Sequence, residues 1–531
     1  MENNQARSTN FNDKISWPVR LSYAGGDVAC NIVFGMVGTL LTTFYTKSIG
    51  VAIGTVGLIL LLSRIFDGIS DVVMGIIVDK TKSRFGKARP WLLWMSLPFC
   101  ISAVLLFTVP PGSGNDWWQI LYIFITYNFC NTICYTAINL PYGTLSTLMT
   151  NESHERDMLG NVRMGLSPLG KIISASLTLP VALAFGNGKQ YDQAAWIKTM
   201  SIWAAIAFVL LIINFLTCKE NAAIPMHPEK KNIQTKLPIK KACKFLFTNQ
   251  YFWAVLVLWM FQSVSFGVIG TILPYLCTDV LEANNIGISG ANLYSALFLV
   301  ETLVLVGGVF ICMPLVKKVG KRNLALIGGF IALAGQLIYA ISPLNVGMLY
   351  MSCIVRSIGL APLNAVVFGM MGDVVDFGHW KNGFRQESFI CAGGSVGTKL
   401  GSGLASVLIT QMLNAAGYVS GEGQVQTEGA QTMIKNLYII SPIIIAVGVI
   451  AVLIFYKLDK HYNEMMVELK AREAKLTKEA MEEGEKVVNV LEKIEQMELE
   501  EKLDIMKKNN EKKNTEANKS NEDNNDNKEN K

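Results

Sequence analysis

The stretch "RIFDGISDVVMGIIVDKTKSRFGKARPW", Arg64 to Trp91, decides how the chain folds. It opens inside an apolar run that began near Val51, yet sets Arg64, Asp67 and Asp71 there before a cluster of basic residues. A guanidinium and two carboxylates are costly in a segment otherwise suited to lipid, and such residues at membrane depth mark function.

The run has the length of a membrane crossing, about 20 apolar residues, and it is not alone. Of the 531 residues, 51% are hydrophobic and only 17% charged, and the mean hydropathy is +0.34. A soluble globular chain is excluded by that composition, and the runs recur from 20–47 to 436–457 to give about twelve helical spans. The polar start "MENNQARSTNFNDK" leads straight into a full-length span, so no cleavable signal peptide is expected.

Lys and Arg crowd into "DKTKSRFGKARP", "KNIQTKLPIKKACK" and "VKKVGKR", after spans two, six and eight. Cytoplasmic loops keep that excess, so even-numbered spans exit into the cytoplasm and both termini lie there, in a multi-pass protein of the cell membrane. The net charge of +6 follows this topology and implies no nucleic-acid partner. Ten cysteines lie in or beside spans without paired spacing, so neither disulfides nor a resident metal site nor another cofactor is read.

A weak repeat is visible: Gly86-Lys87-Ala88-Arg89 after span two is echoed by Gly320-Lys321-Arg322 after span eight. Two six-helix halves in parallel repeat follow, 20–217 and 251–457, preceded by a cytoplasmic N-terminus (1–19) and joined by a cytoplasmic linker (218–250). Residues 458–508 form a charged cytoplasmic helix and 509–531 a low-complexity disordered tail. The tail is the segment open to a cytoplasmic partner.

Span two runs inward. Counting back from Asp79 at about 1.5 Å per residue puts Asp67 roughly 18 Å and Asp71 roughly 12 Å inside the cytoplasmic end. Their i, i+4 spacing sets both on one helix face, with Arg64. Two like charges this close in low dielectric must hold a cation, share a proton or pair with a base; a purely structural bridge to Arg64 answers only one of them. Asp27, Asn139 and Lys399 are likewise embedded in apolar, Gly-rich sequence, and Lys399 is a candidate partner for the acidic pair. Lys171, in a span read as 164–187, is placed close enough to the inner face to snorkel, and Glu301 has no evident role.

"RIFDGISD", "SRFGKARPWLL", "YTAINLPYGTL", "GDVVDFGHWKNGFRQES" and "GTKLGSG" together resemble, in order and on the expected spans, the signature stretches of the glycoside-pentoside-hexuronide:cation symporter family, the melibiose permease group of the major facilitator superfamily. The resemblance covers about residues 15 to 457. It implies an all-α, 12-helix fold and a transporter, not an enzyme. It also implies that Asp67 and Asp71, with Ser70 and Thr136, bind a coupling Na+, Li+ or H+; that Asp27, Tyr135, Asn139, Arg163, Ser395 and Lys399 occupy sugar-site positions; and that Asp373, Asp376, Arg385 and Glu387 form an inner gate. Melibiose permease has Asp, Trp and Lys where this chain has Asn139, Gly143 and Gly26, which argues against a melibiose-type galactoside and leaves xylosides, glucuronides and related sugars.

Rival readings are another cargo on the same fold, such as a lysolipid, a non-transporting membrane sensor, and an intramembrane aspartyl protease. The protease reading fails on spacing and the sensor lacks an output domain. Cation-coupled symport of a sugar by alternating access is the expectation.

Overall fold

The computed structural model describes residues 15–81, 83–150, 153–220, 247–284, 288–382, 387–421, 423–459, 461–462 and 464–472. Residues up to Lys460 form one compact unit and His461–Lys531 a second; within the second, the described residues are helical. The N-terminal 14 residues, most of the linker, Arg385 and the tail beyond 472 lie outside the described residues, as do the side chains of Glu387 and Ser395.

Helices, taken with the π turns continuous with them, make the rods of the first unit. α1 runs Trp17–Thr39 and, past a 49° bend, Leu41–Ile49. α2 is Ile53–Lys80, α3 Arg89–Leu105, α5 Ser153–Phe185 and α6 Gln193–Thr217. α4 joins Trp117–Tyr127, a π segment Asn128–Cys134 and Tyr135–Met149. α7 is Gln250–Tyr275 with a π segment Leu276–Leu281; α8 is Gly290–Val319, α9 Lys321–Ile341, α10 Val346–Asn382, α11 Glu387–Ala415 and α12 Glu428–Phe455. Among the described residues seven helices are long and apolar enough to cross a membrane, eight if the bent α1 counts as one span.

Local sequence explains several starts. Asp192 accepts from the Ala195 N–H at the head of α6, Asn249 from Tyr251 and Phe252 at α7, and Thr427 from Ala430 at α12, each satisfying amides that a helix start leaves open. The lateral surfaces are apolar: Leu62, Ile65, Ile69, Ile311, Leu408 and Ile444 are all exposed. Lipid in place of water makes such a surface stable. Small residues let rods approach closely. A Cβ at Gly170 would stand 2.4 Å from the Val28 carbonyl across the α1–α5 contact, and one at Gly359 2.2 Å from the Ala332 amide across α9–α10.

The echo seen in sequence is a structural repeat. Gly86 and Gly320 both take positive φ, 106° and 86°. Beyond the first, Glu220 accepts from the N–H groups of Lys87, Ala88 and Arg89, and Arg89 Nε donates to the Phe215 carbonyl of α6 at 2.8 Å. Beyond the second, Asp459 accepts from the Arg322 N–H and Arg322 Nε donates to the Leu453 carbonyl of α12 at 2.7 Å. The corner joining α2 and α3 to α6 is thus built like the corner joining α8 and α9 to α12. We call this end of the bundle, with Lys80–Arg89 and Lys318–Arg322, the basic end.

The first six rods meet the last six chiefly along α2–α11 and α5–α8. At the end remote from the basic loops the two sets are also tied by polar bonds: a Lys47–Asp279 ion pair, Thr46 to Tyr275 at 2.8 Å, the Gly421 N–H to the Thr46 carbonyl at 2.9 Å and Gln411 to the Gly54 carbonyl at 2.9 Å.

Candidate cation and substrate site

Asp67 and Asp71 sit on the face of α2 that meets α4. Asp67 is buried, 4% exposed. One carboxylate oxygen accepts from Arg64 Nη1 at 3.2 Å and the other from the Thr132 hydroxyl at 2.5 Å. Thr132 belongs to the π segment of α4, where carbonyls are released from the ordinary i, i+4 ladder, a distortion common at functional sites. The Thr132 carbonyl accepts from Ser70 Oγ at 2.6 Å. Ser70 therefore supports the site through Thr132, the member of the set not named from sequence.

One turn further along, Asp71 is open, its side chain 40% exposed. Thr136 donates to one of its oxygens at 3.3 Å, and Lys399 forms an ion pair with the other. Lys399 comes from α11, in the last six rods, so this contact crosses the seam between the two sets. The expected meeting of Lys399 with the acidic pair is found, at Asp71. The oxygen-rich set of Asp67, Asp71, Thr132 and Thr136 suits a hard monovalent cation.

A second group lies one helix away. Arg163 Nη2 of α5 donates to Asp27 of α1 at 3.1 Å and its guanidinium lies 4.7 Å from the centroid of the Tyr142 ring, which stacks on Tyr23. Tyr135, one residue before Thr136, stacks on Phe34 of α1 with centroids 5.2 Å apart, so α4 meets the helix of Asp27 beside the acidic pair. Asn139 is half-buried on the same helix and forms no hydrogen bond among the described residues. Across the seam, Gln262 of α7 donates to Asn364 of α10, an amide pair that sequence reasoning missed.

Two departures from melibiose permease now have a spatial meaning. A Cβ at Gly26 would meet the Asn214 side chain at 2.6 Å and the Tyr142 ring at 2.8 Å, so this glycine serves helix packing and leaves no room for Lys. A Cβ at Gly143 meets nothing within 4 Å. An aromatic side chain there has space.

Lys171 lies deeper along its helix than the span 164–187 implies. The apolar span of α5 begins at Met158 and ends at Phe185, which sets Lys171 near its middle. Its Nζ lies 5.8 Å from the Phe34 ring centroid, and no carboxylate among the described residues pairs with it. Glu301 of α8 pairs with Arg356 of α10 at 3.1 Å.

Of the inner-gate set, Asp373 is buried and receives Lys321 Nζ at 2.6 Å on both oxygens, a pair within the last six rods at the basic end. Asp376 is half-buried on the next turn. Arg385 and the Glu387 side chain lie outside the described residues, as does the Ser395 side chain of the sugar set.

The fold is that of known transporters. A D-xylose-proton symporter structure superposes with a TM-score of 0.57 at 16% identity, covering 81% of this chain and 95% of the other. The nucleoside transporter NupG gives 0.54 at 14%, covering 83% and 100%. That likeness is one of fold. Residues 22–460 match the family model described as MFS/sugar transport protein, and the chain belongs to that family. It is similar to the isoprimeverose transporter of Lactiplantibacillus pentosus, 31% identical over 88% of this chain and 95% of the relative. Likeness to the glucuronide carrier protein homolog of Escherichia coli (strain K12) is 28%, over 87% and 97%. The expected family, all-helical major facilitator fold and non-enzymatic role hold.

Proposed function

We propose that the protein carries out cation-coupled symport of a glycoside, pentoside or hexuronide by alternating access, in the cytoplasmic membrane with the basic end inward. One observation carries this reading: Lys399 of α11 sits on Asp71 of α2, across the seam between the two sets of rods. A Na+ or H+ arriving at Asp71 competes with the ammonium for the same carboxylate, because one carboxylate cannot fully satisfy both at close range. Displaced, Lys399 is free to donate to a sugar hydroxyl or carboxylate beside Tyr135 and Asn139. Cation binding then raises sugar affinity, and by linkage sugar raises cation affinity by the same factor.

The cargo's charge depends on Lys171. An ammonium at mid-span with no described carboxylate partner favours a sugar that brings its own carboxylate, a hexuronide. A neutral pentosyl glycoside is the second reading, supported by likeness to the isoprimeverose transporter. Uptake of labelled glucuronides and xylosides into vesicles, with Na+ and pH gradients imposed separately, tests both. Accumulation indifferent to either gradient would sink the coupling, and accumulation of neither sugar would sink the cargo class.

A further inference from the structure

The repeat brings two acids into register. Asp67 stands nineteen residues before Gly86, and Glu301 nineteen before Gly320, the two glycines whose corners share one geometry. α2 packs on α4 as α8 packs on α10. In α4 the groups facing the acids are the hydroxyls of Thr132 and Thr136. At the matching level of α10 stands Arg356, six residues before Pro362, as Tyr135 stands six before Pro141 between those threonines.

Arg356 is a built-in charge. It is 1% exposed and fixed from three rods: Nη2 to Glu301 at 3.1 Å on α8, Nη1 to Gln336 at 3.0 Å on α9 and to the Tyr438 hydroxyl at 3.2 Å on α12. Only one oxygen of Glu301 is answered. Its Oε2 is buried without a hydrogen-bond partner, as is Arg356 Nε. A guanidinium is never deprotonated in such a setting, so the charge it supplies is permanent.

We infer that Arg356 is a resident counter-cation at Glu301, the repeat mate of Asp67, and that it bars the second acid site from taking a mobile cation, so that one acid site alone cycles. Arg356 acts through Glu301 and is a positioning residue, not a cargo ligand. The inference rests on the cation-coupled reading above and adds to it the number of coupling sites. In the first six rods Asp67 also meets an arginine, Arg64 of its own helix at 3.2 Å, but its second oxygen takes the Thr132 hydroxyl and a second acid, Asp71, stands one turn on beneath a displaceable lysine; in the last six Glu301 meets a fixed arginine from another rod, and the position one turn on is Leu305, so no second carboxylate is left to take a mobile cation.

The test counts cations on purified protein in lipid nanodiscs at pH 8, using 22Na+ for sodium and the infrared band of a protonated carboxyl for H+. Arg356→Gln should hold one cation more than wild type, either a second Na+ or a new protonated carboxyl. Arg356→Lys and the double variant Arg356→Gln/Glu301→Gln should return to the wild-type count. An unchanged count in folded Arg356→Gln overturns the inference. If that variant does not fold, Glu301→Gln decides: it should keep the wild-type count and gradient-driven uptake, and loss of a bound cation there would place Glu301 in the cycling site and overturn the inference. Wild type that binds neither cation and ignores both gradients instead defeats the underlying symport reading. That outcome is separate from any difference between variants.

Discussion

Lys47 at the far end of α1 and Asp279 at the far end of α7 form a buried ion pair that joins the first six rods to the last six, with the Tyr418 hydroxyl donating to the second carboxylate oxygen at 3.0 Å. Both charges lie in π segments that close the first rod of each repeat. They tie the two sets together at the end opposite the basic loops, and in the proposed cycle would keep that end closed. Removing one partner leaves the other charge buried and unanswered, at a cost of about 3 kcal/mol, roughly a hundredfold in a two-state equilibrium. Lys47→Ala should therefore raise the labelling rate of a cysteine placed at Thr46, attacked by an impermeant maleimide from outside, by about that factor. An unchanged rate would show that the pair does not govern opening. The exchanged pair Lys47→Asp/Asp279→Lys should restore slow labelling.

Asp71→Asn and Asp67→Asn should each abolish uphill accumulation while the protein remains in the membrane. Their side effects should differ. Asp67 is enclosed with Arg64, so its amide leaves a buried guanidinium unanswered and should lower thermal stability, whereas Asp71 is open and its loss should not. Exchange of labelled for unlabelled sugar needs neither gradient and should persist in Asp71→Asn. Undiminished uphill uptake by either variant contradicts the assignment.

Lys171→Gln should discriminate between cargoes. A charge-assisted bond to a uronate is worth about 1.5–3 kcal/mol, so its loss should weaken uronate competition by roughly ten- to a hundredfold. Competition by the neutral sugar should change little. Equal effects on both, measured against one transported substrate, would remove Lys171 from the site.

Gly26 and Gly143 should answer differently to enlargement. Gly26→Ala forces its methyl against Asn214 and Tyr142 and should cost about 1–3 kcal/mol, seen as a lower melting temperature. Gly143→Ala meets open space and should leave stability unaltered. Equal melting temperatures for the two variants would contradict the packing at Gly26.

What the sequence made legible was charge where charge is costly. Asp67, Asp71 and Lys399 stand out in apolar runs, and their association follows because buried charge must be answered. Lys171 lies further from the start of its helix than the uninterrupted apolar pattern over 164–187 suggests, because α5 already begins at Ser153 with a polar first turn. Lys47 and Asp279 escaped notice because charges near span ends are ordinary at a membrane interface, and only the three-dimensional approach of α1 to α7 makes them a pair. Their shared position, at the close of each repeat's first rod, was the available signal. Thr132 was hidden by the π segment, which hydrophobic pattern does not reveal.

In the proposed symport cycle, the pairing of Asp71 with Lys399 also determines how membrane voltage enters. With the ammonium in place, the carrier without cargo needs no added ion to balance Asp71 as it returns outward-facing. The loaded stroke carries one positive charge more, and an interior-negative potential favours it by about 2.3 kcal/mol per 100 mV. For a neutral glycoside, transport should therefore generate current. A uronate cancels the coupling ion's charge and should move silently. Recordings on a solid-supported membrane distinguish the cases: a current with a uronate as large as with a neutral sugar would mean that Lys399 does not balance the empty carrier.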